Sequence, residues 1–395
     1  MNGTRYITAG RFIDGRGVDV RRNVFLEVRD GMITAIGSPR DLPDNAAIDD
    51  FSHCTVLPAL MDCSVTLLQS PSVDSLVRLS AEEAGFSKKS AMLERHIRYC
   101  HIHGVLGVAA SDESDLLERY QEGAAQGGMV AIRTSGPLCR SWDCVADSSA
   151  GGDFLKIVYS GNIDSEEAPA LRLSLEDLRR ILRQQGEKKS VVVANGSQQV
   201  KEAIELGCNA VEEGYGMGEE NLRRMAEKGV LWIPGVLRAK NALDGVSSGG
   251  EVCCRFSLRY VAPGRAIPGA EAFWKKMLAE QLTQLRLARA LGVTTALGTG
   301  AGSVGILHGE SMVEELKLFI KAGYSLEESI RCASENGAEF FGMERLGRLA
   351  VGRRATFLIT RGTAQQLPRK LAYLEGIYVD GVPSVAYCKN PARVE

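Results

Sequence analysis

The side chains of this sequence that could do chemistry stand at the ends of short apolar runs. Lys156 lies in "DFLKIVYSG", Glu212 and Glu213 end "CNAVEEG", and His308 follows "GVTTALGTG". An amine, a carboxylate and an imidazole are groups that enzymes use as nucleophiles, acids or bases. If the fold brings the ends of these runs together, the sequence predicts a reactive or ligand-binding pocket around Lys156, Glu213 and His308.

Eight such apolar runs alternate mostly with segments of helical periodicity. The runs cover residues 60–67, 104–111, 128–136, 153–161, 189–196, 208–214, 229–236 and 292–300. This alternation implies parallel strands joined by right-handed crossovers. Eight units predict an α/β fold with a closed (β/α)8 TIM barrel, in which functional residues lie at the C-terminal ends of the strands. An open doubly wound sheet is the alternative, although no G-x-G-x-x-G follows a strand.

The two ends of the chain have a different pattern. In residues 1–58 and again in 347–395, short runs with Val, Ile and Phe are separated by Gly and Asp-Gly turns. We expect these ends to pair into one small β-sandwich domain, with the barrel over 59–346. Residues 234–270 form the longest irregular stretch and predict a lid over the barrel mouth. Its basic side chains are consistent with an anionic ligand, or simply with solvation of a surface loop.

Motifs along almost the whole chain carry a resemblance. They are "VLPALMD", "DFLKI", "VVVANG", "VEEGYGM", "MAEKGVLWIPG", "ALGTGAG" followed by "HGESMVEEL", and the closing "GRLAVGRRATFLI". In this order the chain resembles the amidohydrolase superfamily, nearest to its imidazolonepropionase and prolidase-like branch. The resemblance implies a hydrolase of non-peptide or dipeptide C–N bonds that uses zinc or another divalent metal in a TIM barrel. It also implies a small β-sandwich built from both termini.

Most metal ligands of that family are replaced in this chain. The strand-one histidine pair falls on Ser64 and Thr66, the strand-five histidine on Val193, the strand-six histidine on Glu213 and the strand-eight aspartate on Gly300, whereas the lysine carbamylated in the binuclear branch is kept as Lys156. Zinc needs three or four nitrogen, sulfur or carboxylate donors at about 2 Å. We therefore expect no metal or other cofactor, and Lys156 as an unmodified ammonium paired with Glu213.

A relocated metal site is the other possibility that the residue types raise. His101 and His103 in "CHIHG" precede the second apolar run, where a helix C-terminus on the opposite face of the barrel would hold them. We interpret them as structural. Cys63 is a nucleophile by type, but alternation along a strand would point it away from Ser64 into the helix layer, which predicts a buried thiol.

Three functional hypotheses are consistent with these residues. In the first, the chain is a degenerate amidohydrolase, a pseudoenzyme that serves as a binding or assembly module. The alternative is an enzyme that acts on C–N bonds without metal, with Lys156, Glu213 and His308 as acid, base or nucleophile. The third is a metal hydrolase with an unusual ligand set. The substrate or ligand is left open.

The composition limits the range of partners. The chain has 395 residues and a net charge of -2, so no basic field predicts nucleic-acid binding. No stretch approaches the roughly 18 uninterrupted apolar residues that span a bilayer. The ten cysteines have no regular framework, which predicts a reduced cytoplasmic protein. We expect a small-molecule ligand and, from the resemblance, a homo-oligomer.

Overall fold

The computed structural model describes residues 4–18, 20–44, 46–112, 116–117, 119–120, 129–136, 138–141, 152–161, 171–247, 269–363 and 365–387. Its strands are β1 Arg5–Phe12, β2 Arg21–Arg29, β3 Met32–Gly37, β4 Ile48–Pro58, β5 Leu60–Val65, β6 Val105–Ala110, β7 Ala131–Thr134, β8 Leu155–Val158, β9 Ser190–Ala194, β10 Ala210–Glu213, β11 Leu231–Ile233, β12 Phe357–Arg361, β13 Leu374–Val379 and β14 Val382–Pro383.

The α-helices alternate with the central strands. They are α1 Ser75–Glu82, α2 Phe86–Ile102, α3 Leu175–Gln184, α4 Ser197–Glu205, α5 Glu219–Lys228, α6 Val236–Ser247, α7 Ala270–Leu291, α8 Ser311–Lys321, α9 Leu326–Cys332 and α10 Glu335–Phe340. Short 3-10 helices cover Pro39–Asp41 and Arg369–Ala372. Among the helices of these described segments, none combines the length and the apolarity needed to cross a bilayer.

Strands from both ends of the chain share one sheet. Its seven strands run in the order β14-β13-β12-β4-β1-β2-β3, with β1 antiparallel to β2 and parallel to β4. β12 pairs antiparallel with β4, which joins the C-terminal strands to the N-terminal ones. Inward side chains of the two ends, such as Leu26, Val56 and Phe357, form one buried cluster. The pairing of the chain ends therefore rests on a common apolar core.

The central strands form two parallel sheets, one with the order β5-β6-β7 and the other β11-β10-β9-β8. Strands such as β6 are buried along their whole length, which explains their continuous apolar runs. The helices α3, α4 and α5 connect consecutive strands of the second sheet, and each buries one apolar face. α5 ends on Gly229, whose left-handed φ of 66° stops the helix as the sequence pattern predicts.

Seven of the eight apolar runs contain a strand, and the run at 292–300 does not. This last segment makes only isolated parallel bridges, between Trp232 and Thr295 and between Val65 and Ala301. Gly300 has a φ of 72°, which interrupts an extended conformation. The segment nevertheless contacts β11 on one side and β5 on the other, so it lies between the two parallel sheets.

The predicted lid is partly helical, which corrects the expectation of an irregular stretch. Its first part is α6, whose apolar residues pack inward, and residues 248–268 lie outside the described part of the chain. Glu315 on α8 accepts hydrogen bonds from the backbone nitrogens of Val236 and Leu237 at 2.9 and 2.6 Å. These first N–H groups of a helix need an external acceptor, so the buried Glu315 fixes where α6 begins.

Candidate functional site

A polar cavity of about 700 Å³ opens at the C-terminal ends of the parallel strands. Ser64 and Thr66 line it from the end of β5, Lys156 from β8, and Glu212 and Glu213 from β10. The glycine-rich segment after α7, one face of α6, and further residues such as Arg78 of α1 and Trp274 of α7 also line it. The structure therefore gathers the residues that the sequence placed at strand ends, with exceptions described below.

The deepest polar contact in this cavity joins Lys156, Glu212 and Ser64. The Lys156 ammonium donates to Glu212 Oε1 at 2.9 Å and lies 2.8 Å from Oε2, although only the first contact has hydrogen-bond geometry. The Ser64 hydroxyl donates to the same Oε1 at 2.7 Å and lies 3.4 Å from the lysine nitrogen. The three residues are only 8%, 8% and 7% exposed, so the charges are compensated chiefly by each other.

The predicted ion pair between Lys156 and Glu213 is wrong, because the adjacent Glu212 takes this role. In the parallel register Lys156 lies beside Val191, which lies beside Ala210. Side chains two residues apart on a strand share a face, so Glu212 lies on the face of Ala210 and Lys156, and Glu213 does not. Lys156 is level with Ala210, two residues before Glu212, and its long side chain reaches along the strands to the Glu212 carboxylate.

Glu213 instead anchors the end of β10. Its carboxylate accepts hydrogen bonds from Asn195 Nδ2 and from the Arg238 guanidinium of α6. Its carbonyl oxygen accepts from Trp232 Nε1 at 3.1 Å and from Gln281 Nε2 at 2.8 Å. Its φ of 70° is unusual for a residue with a side chain and is maintained by these four contacts. Glu213 therefore ties α6 to the rim of the cavity.

The positions that replace the family's metal ligands do not form a metal site. Ser64, Thr66 and Gly300 line the cavity, whereas Val193 is half-buried outside its lining. Within the described ranges, no three His, Cys, Asp or Glu side chains are grouped closely enough to hold a metal ion. A valine and a glycine offer no donor atom, and neutral hydroxyls are poor zinc ligands. The residues present therefore do not fit the family's zinc centre.

His308 lies behind the cavity wall, which corrects its predicted place in the pocket. It is buried and stacks on His96 of α2, with ring centroids 3.9 Å apart. His308 Nε2 donates to the Thr66 carbonyl at 2.9 Å, and His96 Nδ1 donates to the Leu67 carbonyl at 2.7 Å. Burial lowers the pKa of His308 to about 3 and also lowers the pKa of His96. Both rings are thus neutral donors that fix the backbone after β5.

Sequence reasoning missed His96, although a signal was available. Leu93, Ile97 and Cys100 are buried on the same face of α2, so a histidine at position 96 had to point into the protein. Its partner could not be inferred, because His308 is more than 200 residues away. Their stacking is a consequence of tertiary packing.

Asp112 holds the same backbone segment from the other side and was also not predicted. Its carboxylate accepts from the backbone nitrogens of Leu67 and Leu68 at 2.5 and 3.0 Å. Burial raises its pKa to about 6. The residue follows directly after β6, the position from which the barrel rule selects candidates. The turn after β5 therefore has its donors and its acceptors satisfied by buried side chains.

Asp62 connects β5 to the glycine-rich segment. It accepts from the backbone nitrogen of Thr299 at 2.8 Å and from that of Ser64 at 3.2 Å, and the Thr299 hydroxyl donates to its second oxygen. Burial raises the pKa of Asp62 to about 6. The contact with the Ser64 nitrogen coincides with a break in the register of β5 after Asp62. Asp62 thereby helps to present Ser64 to the cavity.

The histidines near the second strand have structural partners, as predicted. His101 Nδ1 lies 2.9 Å from the Met129 carbonyl and Nε2 lies 2.8 Å from Ser384 Oγ. His103 Nδ1 lies 2.8 Å from the Tyr99 carbonyl. These contacts occupy both ring nitrogens of His101 and one ring nitrogen of His103.

The cysteines agree only in part with the expectation of buried thiols. Cys63 is free and buried, and burial raises its pKa well above the usual range. It packs with Met61 and Ile233, and a Cβ added at Gly337 of α10 would lie 2.5 Å from its sulfur. Cys139, in contrast, is disulfide-bonded, so the prediction of a fully reduced chain is wrong at this position.

These elements define an α/β protein with a polar cavity at the carboxyl ends of parallel strands. Residues 167–390, more than half of the chain, match the model of the Amidohydrolase family. The chain therefore belongs to the amidohydrolase family. Comparison with the curated proteins found no match.

Solved structures share this fold at low sequence identity. A Xaa-Pro dipeptidase with bound methionine has a TM-score of 0.78 at 18% identity, covering 97% of this chain and 100% of that one. Ochratoxinase of A. niger has a TM-score of 0.77 at 18% identity, with 97% and 96% covered. Phenylurea hydrolase B has a TM-score of 0.77 at 14% identity, with 99% of each chain covered. At such identities the likeness establishes the fold alone.

Proposed function

We propose that this protein is an amidohydrolase-family member that binds a small organic ligand in its cavity and does not run the family's metal-dependent hydrolysis. The observation that carries the proposal is the contact of Lys156 with Glu212 and Ser64, 2.9 Å and 3.4 Å from the lysine nitrogen. These residues occupy the place where the family's bridging lysine and a histidine ligand are expected.

The charges explain why this arrangement opposes a metal-bridging carbamate. A carbamate on Lys156 would turn a cation into an anion beside the Glu212 carboxylate. Two like charges at such a distance in a buried site repel by several kcal/mol, and no cation from a metal would compensate them. The ammonium, in contrast, is stabilised by Glu212 and needs no metal. Lys156 is therefore proposed to be an unmodified, charged lysine.

The charges of the lining favour a ligand with an anionic group. Among the residues that the structure describes, four lining side chains are cationic, namely Arg78, Arg140, Lys156 and Arg238, and three are anionic, namely Glu82, Glu212 and Glu213. Lys156 pairs with Glu212 and Arg238 with Glu213. Arg78, Arg140 and Glu82 remain, so the described lining as a whole carries a net positive charge. Trp274 adds an apolar surface to the lining.

We also propose the finer architecture that accompanies this site. In it, the two parallel sheets close into a barrel, and the segment around Thr295 and Ala301 takes the place of the eighth strand. The seven-stranded sheet would form the small domain of residues 1–58 and 347–395, with the barrel over 59–346. We also propose that the protein is a homo-oligomer, as the resemblance implies, and that it lies in the cytoplasm, as the scattered cysteines indicate.

Elemental analysis and ligand-induced melting shifts test the proposed function together. The purified protein should contain far less than one zinc, iron or manganese per chain. Zwitterionic and anionic compounds, such as dipeptides, N-acyl amino acids and lactam acids, should include one that stabilises the protein. A ligand at 100 times its Kd adds about 2.7 kcal/mol to the unfolding free energy.

Two variants separate binding in this cavity from binding elsewhere. Lys156→Met should abolish the melting shift, whereas Lys321→Met, which removes an exposed lysine at the end of α8, should preserve it. About one tightly held metal per chain that is lost in Lys156→Met would overturn the proposal. An equal melting shift in both variants would place the ligand outside this cavity.

A further inference from the structure

The cavity contains one serine hydroxyl with the surroundings of a nucleophile. Ser64 lines the cavity, and its hydroxyl donates to Glu212 Oε1 at 2.7 Å. The Lys156 ammonium lies 3.4 Å from the same oxygen atom of the serine. We infer that Ser64 is the nucleophile of a metal-independent acyl-transfer site that takes an ester or amide, with Glu212 as its base. The inference rests on the proposed function, because it requires a small molecule bound in this cavity.

In the proposed acyl transfer, Ser64 attacks the carbonyl carbon, Glu212 carries the proton and Lys156 stabilises the negative oxygen. The Ser64 proton moves to Glu212 Oε1 while Oγ forms a bond to the carbonyl carbon, and the electron pair of the C=O bond moves to its oxygen. The leaving group then departs with the bonding pair and takes the proton from Glu212. Water repeats the two steps on the acyl-serine and releases the acid. The Lys156 ammonium is the cation available to stabilise the negative oxygen.

The backbone holds Ser64 in place for this role. Asp62 accepts a hydrogen bond from the Ser64 nitrogen, and the Gly300 nitrogen donates to the Ser64 carbonyl at 2.9 Å. The ladder between β5 and β6 breaks its register between Asp62 and Val65, so Ser64 leaves the regular alternation of the strand. A nucleophile fixed by buried contacts needs little reorganisation before it reacts.

A second hydroxyl–carboxylate pair lies in the same cavity but lacks one requirement. The Thr299 hydroxyl donates to Asp62, and Thr299 also lines the cavity. The described residues place no ammonium or guanidinium in contact with this pair, and the Asp62 carboxylate has its other contacts with backbone nitrogens. Of the two pairs, the one formed by Ser64 combines a proton acceptor, a neighbouring cation and access to the cavity.

A biotinylated fluorophosphonate tests this inference without knowledge of the substrate. In the reaction Ser64 Oγ forms a bond to phosphorus, the P–F bond breaks, fluoride leaves with the bonding pair, and the serine proton passes to Glu212. We expect one label per chain, located on Ser64 by peptide mass spectrometry, and none after heat denaturation. Ser64→Ala should remove the label, and Glu212→Gln should slow labelling about 100-fold, as the loss of a general base does.

The matched control is Ser329→Ala, because the Ser329 hydroxyl is buried on α9 and donates to the Ser325 carbonyl, away from the cavity. This variant should be labelled at the wild-type rate. A wild-type protein that is not labelled, or a label that persists in Ser64→Ala, would overturn the inference. The labelling experiment can fail while the same samples contain no metal and are still stabilised by a ligand. In that case Ser64 is not a nucleophile, and the proposal of ligand binding in the cavity stands.

Discussion

The Lys156 nitrogen lies 2.8 and 2.9 Å from the two carboxylate oxygens of Glu212, and both side chains are almost fully buried. Removing one partner of a buried ion pair leaves the other charge uncompensated, which costs about 3–5 kcal/mol. We predict that Glu212→Gln destabilises the protein by about this amount. Lys156→Met should cost less, because the remaining carboxylate keeps the Ser64 hydroxyl as donor and can take up a proton. Urea unfolding at pH 7 measures both.

The double variant provides the control for this asymmetry. Lys156→Met with Glu212→Gln has no buried charge, so its loss of stability should be smaller than the sum of the two single losses. Additive losses would show that the two groups do not interact. A greater loss in Lys156→Met than in Glu212→Gln would contradict the predicted order.

The neutral histidine stack should make the protein sensitive to acid. The folded pKa of His308 is about 3, below the ordinary 6.5, because of burial and the adjacent His96. Because the folded pKa of His308 is depressed, the contribution of its neutral ring to stability is fully present above pH 6.5. This contribution is lost as the pH falls from 6.5 towards 3. The contribution changes by about 1.4 kcal/mol per pH unit in this range. We predict that His308→Gln reduces the slope of unfolding free energy against pH between pH 6 and 4 by about this amount.

Comparison with a second histidine isolates this effect from other titrating groups. His103→Gln is the control variant, because it removes a histidine and leaves the stack of His308 on His96 intact. Asp62 and Asp112 have raised pKa values and change stability in the opposite sense, but they are present in all three proteins. Equal slopes in His308→Gln and wild type would show that the buried ring does not resist protonation.

The sequence predicts the elements of this fold better than the contacts among them. Apolar runs locate seven of the parallel strands, because strands buried on both faces need continuous apolar residues. The run at 292–300 has the composition of a strand, but it forms only an isolated bridge at Thr295 and ends at the left-handed Gly300. A run of apolar residues does not reveal which backbone conformation its glycines adopt.

In the site, too, single residues are easier to predict from the sequence than their contacts. Lys156 is predictable as a pocket residue because it lies on β8, a strand that the sequence identifies, and the resemblance marks its position. Its partner is not, since the choice between Glu212 and Glu213 depends on the register of three strands. The stack of His96 on His308 depends on packing between α2 and a loop far away in sequence. Such pairings are set by tertiary structure, which local patterns do not encode.

Two glycines of the segment after α7 should differ sharply in their tolerance of a side chain. Gly300 has a φ of 72°, and a Cβ added there would have its nearest contact at 3.8 Å from Ser303 Oγ. We predict a cost of about 1–2 kcal/mol for Gly300→Ala, from the left-handed backbone alone. At Gly302 a Cβ would lie 2.4 Å from the Thr66 carbonyl oxygen, so Gly302→Ala should cost clearly more. Chemical denaturation of both variants gives the comparison.

This pair also bears on the position of the family's strand-eight aspartate. Gly300→Asp should fold, with a loss close to that of Gly300→Ala, because the added side chain has space in the cavity. Gly300→Asp that fails to fold while Gly300→Ala folds would show that the cavity cannot hold a carboxylate there. An equal cost for alanine at 300 and 302 would contradict the close approach at Gly302.

The last prediction concerns Glu315, the buried acceptor for the first turn of α6. Burial raises its pKa to about 8, from an ordinary 4.5. For an acid with a raised folded pKa, stability is fully present below pH 4.5 and is lost as pH rises from 4.5 through about 8. Glutamine keeps one uncharged oxygen acceptor, but its NH2 group cannot accept from the second of the Val236 and Leu237 nitrogens, which donate to different oxygens of Glu315. We predict that Glu315→Gln lowers the free energy of unfolding by about 1–3 kcal/mol at pH 5, because one buried N–H group loses its acceptor. This deficit relative to the wild type should shrink as the pH rises to 9, because only the wild type has a carboxyl group to ionise there.

Glu315→Leu separates the hydrogen bonds from the charge. It removes the acceptor and leaves two buried N–H groups unpaired, at a cost of about 1–3 kcal/mol for each. This variant should be destabilised at both pH values, and α6 should exchange its N-terminal amide protons faster, as hydrogen-exchange mass spectrometry can measure. If Glu315→Gln loses as much stability as Glu315→Leu at pH 5, the carboxylate itself, rather than a neutral acceptor, is what holds α6. If the difference in unfolding free energy between Glu315→Gln and the wild type is the same at pH 5 and pH 9, Glu315 is not titrating in the raised range.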